Sequence, residues 1–242
     1  MRAFVPSLLL MMSMGTLLAQ GIRPNEERAL GTTVPNVRLV DAEGNRFELH
    51  DLKGNYVILS PVYVGCPQAC IAITQSLKKA VEQVGGLGEE YIVLSVSFNP
   101  KEGLSDIQRF HKSHQLNLPG WRLAYVPEES QLFALLDQID FRFTYINEQI
   151  LDHPNVILFL DKDLVIRHYE YGTDYTPEQI QRGLRIASGK LTLVERLLRT
   201  SVPLLLILLT SIGAVGWYLW TTRPEPSVQQ TSTSTRYNHL PE

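Results

Sequence analysis

The chain has 242 residues, 44% hydrophobic and 19% charged, with a formal net charge of −3. That balance excludes a strongly basic nucleic-acid binder and a low-complexity disordered chain. Two Leu-rich stretches without charge, 3–19 and 200–222, leave roughly 180 residues outside them and the tail, enough for one good-sized core.

Residues 1–19 read as a secretory signal. Arg2 is a short positive region, residues 3–17 are apolar and broken by Pro6, and Leu17-Leu18-Ala19 offers a cleavage site. Its removal leaves 21 basic and 25 acidic residues and no methionine. The next signal is a hairpin over 37–40 and 46–49, with Glu43-Gly44-Asn45 as turn chemistry. Tyr56-Val57-Ile58-Leu59 is a near-continuous apolar run, as a buried strand is. Cys66-Pro67-Gln68-Ala69-Cys70 follows, then Ile71, Ile73, Leu77, Val81 and Val84 at helical spacing, stopped by Gly85-Gly86. A second buried strand is expected over 91–98, a helix over 104–114, a strand over 121–126 and a helix over 130–139. A buried strand over 155–160 turns at Asp161-Lys162-Asp163 into a partner over 165–171. Thr176 and Pro177 open a last helix as N-cap and first residue.

This order predicts an α/β, thioredoxin-like fold: a central mixed sheet flanked by helices, with an N-terminal β-hairpin. One C-terminal transmembrane helix is added to it. Residues 200–222 lie uncharged between Arg199 and Arg223, and Trp217, Tyr218 and Trp220 crowd one end. At 1.5 Å per residue such a stretch reaches about 34 Å. The expected organisation is therefore signal peptide 1–19, domain 20–190, juxtamembrane segment 191–201, transmembrane helix 202–220 and disordered tail 221–242. The basic residues before the span argue for a cytoplasmic domain by the positive-inside rule. The signal peptide outweighs them, because large folded domains translocate largely regardless of charge.

The chemistry concentrates in Cys66 and Cys70. The pair follows a buried strand and opens a helix, where residues four apart share a face. The positive end of the helix favours thiolate. Two thiolates on one face either bind a soft metal or cycle between dithiol and disulfide. A plain structural disulfide would close a short loop and stabilise little. With two cysteines and no methionine in the mature chain, further metal ligands must be histidine or carboxylate. His50 precedes a loop, and His239 lies in the tail. His111 and His114 share a polar helix face, and His168 alternates along the closing hairpin. His153 differs. It sits in Leu151-Asp152-His153-Pro154, just before the strand 155–160. In a thioredoxin-type fold that loop packs against the cysteine helix.

The run Val64-Gly65-Cys66-Pro67-Gln68-Ala69-Cys70 resembles the C-P-x-x-C signature of the Sco (SenC) copper-chaperone family. Asp152-His153 followed by Phe159-Leu160-Asp161 resembles its distal D-H…[FY]-L-x-D motif, and Ser95-Val96-Ser97 before Asn99-Pro100 matches the strand after the first helix. The likeness covers roughly 30–190. It implies one copper per domain, held by Cys66, Cys70 and His153. It also implies assistance in building the binuclear copper site of cytochrome c oxidase subunit II. Asp152 is the neighbour expected to orient His153 from behind. Asn99 departs from the family's usual Asp, and Pro154 is shared with thioredoxins, whose active loop carries a cis-proline there.

Two function classes follow. One is a non-enzymatic metallochaperone, tethered to the cell membrane by a single C-terminal helix with its domain on the extracytoplasmic side. The other is a thiol–disulfide oxidoreductase acting on exported proteins through the Cys66–Cys70 redox disulfide. Nothing in the sequence identifies a copper donor, and no nucleic-acid partner is expected. His153 discriminates the two, because redox exchange needs only the cysteine pair and metal delivery needs a third ligand.

Overall fold

The computed structural model describes residues 21–66, 69–147, 150–190, 210–215, 217 and 218. The chain divides into two compact units, Met1–Lys190 and Leu191–Glu242. In the first, a seven-stranded mixed sheet runs in the order β2-β1-β5-β4-β3-β8-β9. Its strands are β1 (Arg38–Asp41), β2 (Arg46–Glu48), β3 (Tyr56–Val62), β4 (Tyr91–Ser97), β5 (Trp121–Tyr125), β8 (Val156–Leu160) and β9 (Ile166–Tyr171). A separate two-stranded hairpin joins β6 (Thr144–Tyr145) to β7 (Leu151–Asp152). The helices are α1 (Glu26–Ala29), α2 (Ala69–Val84), α3 (Leu104–His114), α4 (Glu129–Gln138) and α5 (Pro177–Ala187).

Strands β3, β4 and β5 are parallel neighbours. Each βαβ crossover is right-handed by default, so α2 and α3 fall on one face of the sheet. The Gln75 amide of α2 lies 3.0 Å from His114 Nδ1 at the end of α3. Helix α5 packs against α2 on the same face. The three central strands β3, β4 and β8 are buried almost throughout. This is why they read as continuous apolar runs without alternation.

Pro61 sits inside β3, where a proline would normally break a ladder. The Val62 carbonyl accepts from Phe98 N–H at 2.9 Å, toward β4. Pro61 therefore faces the opposite side, where pairing with β8 has already stopped at Leu59. No ladder bond is lost, and β3 runs three residues further than its apolar run suggested, to Val62, delivering the chain toward Cys66.

Helix α5 closes over the sheet through Gly183. A Cβ there would lie 2.3–2.5 Å from ring carbons of Phe159. In an exposed helix Gly→Ala gains about 1 kcal/mol. Here the overpacking should outweigh that gain, so Gly183→Ala is expected to lower stability by about 1–2 kcal/mol. Urea unfolding of parent and variant checks the sign.

One expectation is corrected. Among the described residues no helix is long and apolar enough to cross a membrane, so the C-terminal transmembrane helix does not stand. The described helical residues of that stretch are 210–215, 217 and 218, while crossing a hydrocarbon core of about 30 Å takes about 20. Residues 202–209, 216, 219 and 220 lie outside the described residues, as do the signal reading of 1–19, the segment 191–201 and the tail 221–242.

Candidate metal centre

Three side chains meet at the C-terminal end of β3. Cys66 follows a turn in which its N–H donates to the Tyr63 carbonyl at 3.1 Å. Cys70 lies in the first turn of α2. His153 comes from the other half of the chain, in the short link between β7 and β8. The ligand atoms of Cys66, Cys70 and His153 all lie within 4.8 Å of one another, and all three residues are buried. Among the described residues this is the one such cluster of metal-ligating side chains. The two cysteines are not joined in a disulfide.

Backbone amides are aimed at both sulfurs. Tyr63 N–H donates to Cys70 Sγ at 3.3 Å, and Cys70 N–H to Cys66 Sγ at 3.4 Å. Yet the Cys70 thiol is pushed well above its ordinary value. Its hydrogen bond to Cys66 comes first, then burial, then the charge of Cys66; the Tyr63 amide opposes these only partly. Burial likewise pushes the Tyr63 phenol up to about 12, with the charges of Cys66, Cys70 and Glu102 adding to it. Both the Cys70 thiol and the Tyr63 phenol are therefore held in their neutral forms.

His153 is held by aromatic rings. Its ring centroid lies 4.9 Å from Phe98, 6.1 Å from Phe141 and 6.5 Å from Tyr63. Nδ1 stands 3.2 Å from the Pro154 carbonyl. Donation from Nδ1–H in that arrangement leaves Nε2 as the lone-pair nitrogen. Asp152 pairs with Thr144 across the β6–β7 hairpin. Among the described residues no hydrogen bond joins its carboxylate to His153. The peptide bond before Pro154 is trans, as no cis peptide bond occurs among the described residues.

The other histidines lie elsewhere. His50 Nε2 is 3.1 Å from the Val34 carbonyl, His168 pairs with Glu170 at 3.2 Å, and His111 lies 3.7 Å from Glu43. His114 stacks near Phe110 at 4.2 Å, and burial lowers its pKa. His239 lies outside the described residues.

Glu102 was not foreseen from sequence. It lies between β4 and α3, three residues beyond Asn99. Its carboxylate accepts from the N–H of Val64 at 3.0 Å, the N–H of Gly65 at 2.9 Å and the hydroxyl of Ser97 at 2.6 Å. These bonds fix the loop immediately before Cys66. Asn99 turns the other way, accepting from the Tyr145 hydroxyl at 3.1 Å. The only sequence signal was an acidic residue near the end of a buried strand, too common to single out.

Burial raises the Glu102 pKa above its ordinary 4.5, although its three donors pull the other way. The folded state then holds that proton more tightly than the unfolded chain does. The corresponding stability is present below pH 4.5 and is lost as pH rises through the folded value. Glu102→Gln has no such proton to lose. Thermal melts of the metal-free protein should show this fall in the parent alone. Parallel curves for parent and variant would refute it.

Comparison with known proteins bears on the same region. The sequence model of the SCO1/SenC family matches residues 25–186. No curated protein matches the chain significantly. Among solved structures, an Aquifex aeolicus VF5 protein described as a candidate electron transfer protein is 42% identical, with a TM-score of 0.64, covering 66% of this chain and 95% of that one. Arabidopsis thaliana ScoI, solved with copper bound, is 14% identical at a TM-score of 0.56, covering 66% and 100%. Yeast Sco1 with copper bound is 12% identical at 0.54, covering 71% and 96%. At such identities the last two likenesses speak to the fold.

Proposed function

The chain belongs to the SCO1/SenC family, and from that premise we propose that it binds one copper ion through Cys66, Cys70 and His153 and delivers it to the binuclear copper site of cytochrome c oxidase subunit II. The observation that carries the reading is the meeting of two thiols and one imidazole within 4.8 Å, from opposite halves of the chain. Soft and borderline metals bind sulfur and nitrogen at about 2.0–2.3 Å, so donors around one ion lie up to about 4.6 Å apart. Small side-chain rotations suffice to close this group on one ion. Two thiolates select a soft cation such as Cu(I), and imidazole is compatible with it. The solved relatives with copper bound, from Arabidopsis thaliana and yeast, support the same choice.

Copper is cargo in this reading, so the site must release it as well as hold it. The elevated Cys70 thiol serves both ends. Binding must expel its proton, and reprotonation favours release. The same reading puts the domain on the extracytoplasmic side, where an oxidase copper site is assembled.

The test is metal content. Reduced protein titrated with Cu(I) against a chelator should take up one copper per chain and give up protons as it does. It should then pass copper to the isolated copper domain of subunit II. Uptake of zinc in preference to copper, or no stoichiometric uptake, would sink the proposal. A reporter active only outside the cytoplasm, fused after Lys190, checks the compartment. The second reading, a thiol–disulfide oxidoreductase, rests on the adjacency of the two sulfurs alone and leaves the burial of His153 beside them without a use.

A further inference from the structure

The described chain starts with a strap, residues 21–34, that crosses the domain before the sheet begins. It is fastened at several points. The Asn25 N–H donates to the buried Asp140 carboxylate at 2.6 Å. Arg28 forms ion pairs with Asp140 at 2.9 Å and Asp137 at 2.7 Å. The Arg23 guanidinium lies 3.8 Å over the Tyr171 ring, and the Tyr171 hydroxyl donates to Glu26 at 2.8 Å. Farther on, Gly31 N–H donates to Ile166 O at 2.9 Å, and Val34 N–H to Leu164 O at 3.1 Å. A strap so anchored has little freedom at its leading end.

That leading end is Gly21, and it is buried. A Cβ on Gly21 would lie 2.3 Å from the carbonyl carbon of His153, 2.5 Å from its Cα and 2.7 Å from Pro154 N. All three are backbone atoms, which cannot swing aside as a side-chain tip can. What excludes a side chain is His153 itself. The histidine's own backbone is thus bounded by the strap, while its ring is packed by Phe98, Phe141 and Tyr63.

We infer that Gly21 is a positioning residue of the metal centre: the strap's backbone, seated on the His153–Pro154 peptide, sets how far the imidazole reaches toward Cys66 and Cys70. This rests on the copper reading above and adds to it a contact from outside the two cysteine and histidine motifs. A donor displaced by a few tenths of an ångström from a three-ligand group weakens the whole group, because among the described residues no fourth ligating side chain joins it to compensate.

The experiment compares Gly21→Ala, Gly21→Val, Ile22→Ala and His153→Ala, with the double variant Gly21→Val/His153→Ala. Ile22 is exposed next door and serves as the control that alters the strap without a clash. Gly21→Val should weaken Cu(I) binding about 10- to 100-fold, the usual cost of losing a residue that supports a ligand. It should add no loss on top of His153→Ala. Ile22→Ala should match the parent. The copper(II) electron paramagnetic resonance of Gly21→Val should approach that of His153→Ala, which a general loss of stability would not produce. A metal-free readout runs alongside: the His153 imidazole 15N resonances should move in both Gly21 variants. Gly21→Ala carries the test if the valine variant fails to fold. Parent affinity and unmoved resonances in the Gly21 variants would overturn the inference. If the parent itself takes up no copper, the proposed function fails, and the resonances alone then decide the strap: moved, it stands; unmoved, it falls.

Discussion

His153→Ala should leave a folded domain that holds Cu(I) more than about a hundredfold less tightly, beyond what loss of a merely supporting residue costs. Cys66→Ser and Cys70→Ser should each abolish stoichiometric binding. The order follows from chemistry and geometry together. Each thiolate supplies soft, charged donation, and a serine hydroxyl replaces neither. The imidazole brings no negative charge, yet it is the one histidine nitrogen within 4.8 Å of both sulfurs among the described residues. Its removal strips one donor and opens the space between Phe98, Phe141 and Tyr63. Circular dichroism separates loss of binding from loss of fold. The pH profile is a further check. Because Cys70 is held protonated well above its ordinary value, apparent copper affinity should climb as pH rises from neutrality and fall toward acid. Should His153→Ala bind copper as tightly as the parent, the third ligand is misassigned and the oxidoreductase reading takes precedence.

The two cysteines should also differ sharply as nucleophiles. Cys70 is fully buried, and its thiol is pushed up by the Cys66 hydrogen bond and by burial. Cys66 lies in the loop before α2 and keeps 9% of its surface exposed. The thiolate is the reactive form, so alkylation at neutral pH should favour Cys66 by about tenfold or more. The measurement uses Cys70→Ser, which leaves Cys66, against Cys66→Ser, which leaves Cys70. The second variant also removes the Cys66 hydrogen bond, but burial of Cys70 persists. Oxidised glutathione should close the pair reversibly, Cys66 attacking the reagent and Cys70 then displacing glutathione thiol. That exchange moves two electrons and leaves no thiolate for copper. Equal alkylation rates, or a disulfide that still binds copper, would contradict this account.

Much of the scaffold was legible because its signals are local. The apolar runs of β3, β4 and β8 mark strands buried on both faces. Thr176 and Pro177 open α5, with the Thr176 hydroxyl accepting from Gln179 N–H as an N-cap does. Gly85, at φ +74, stands where α2 ends. Helix α3 occupies the positions its spacing indicated, Leu104–His114. Local signals overreached in one place: the uncharged stretch 200–222 has the composition of a span, while the described helix within it is too short to be one.

The site divides along the same line. The cysteine pair of the proposed site was readable in the sequence, since two cysteines four apart at a helix start are a local pattern. The sequence also nominated His153, through the order of elements around it. Contacts between segments far apart in the chain came only with the packing. The Glu102 carboxylate reaches back 37 and 38 residues to Gly65 and Val64. Gly21 meets His153 across more than half the domain. Phe98 and Phe141 close on the His153 ring from separate elements. Such contacts leave no periodicity and need no special residue at both ends. They exist because a single core must fill its volume, and which side chains fill the space around a ligand is settled only when the sheet order and the packing of the chain are settled.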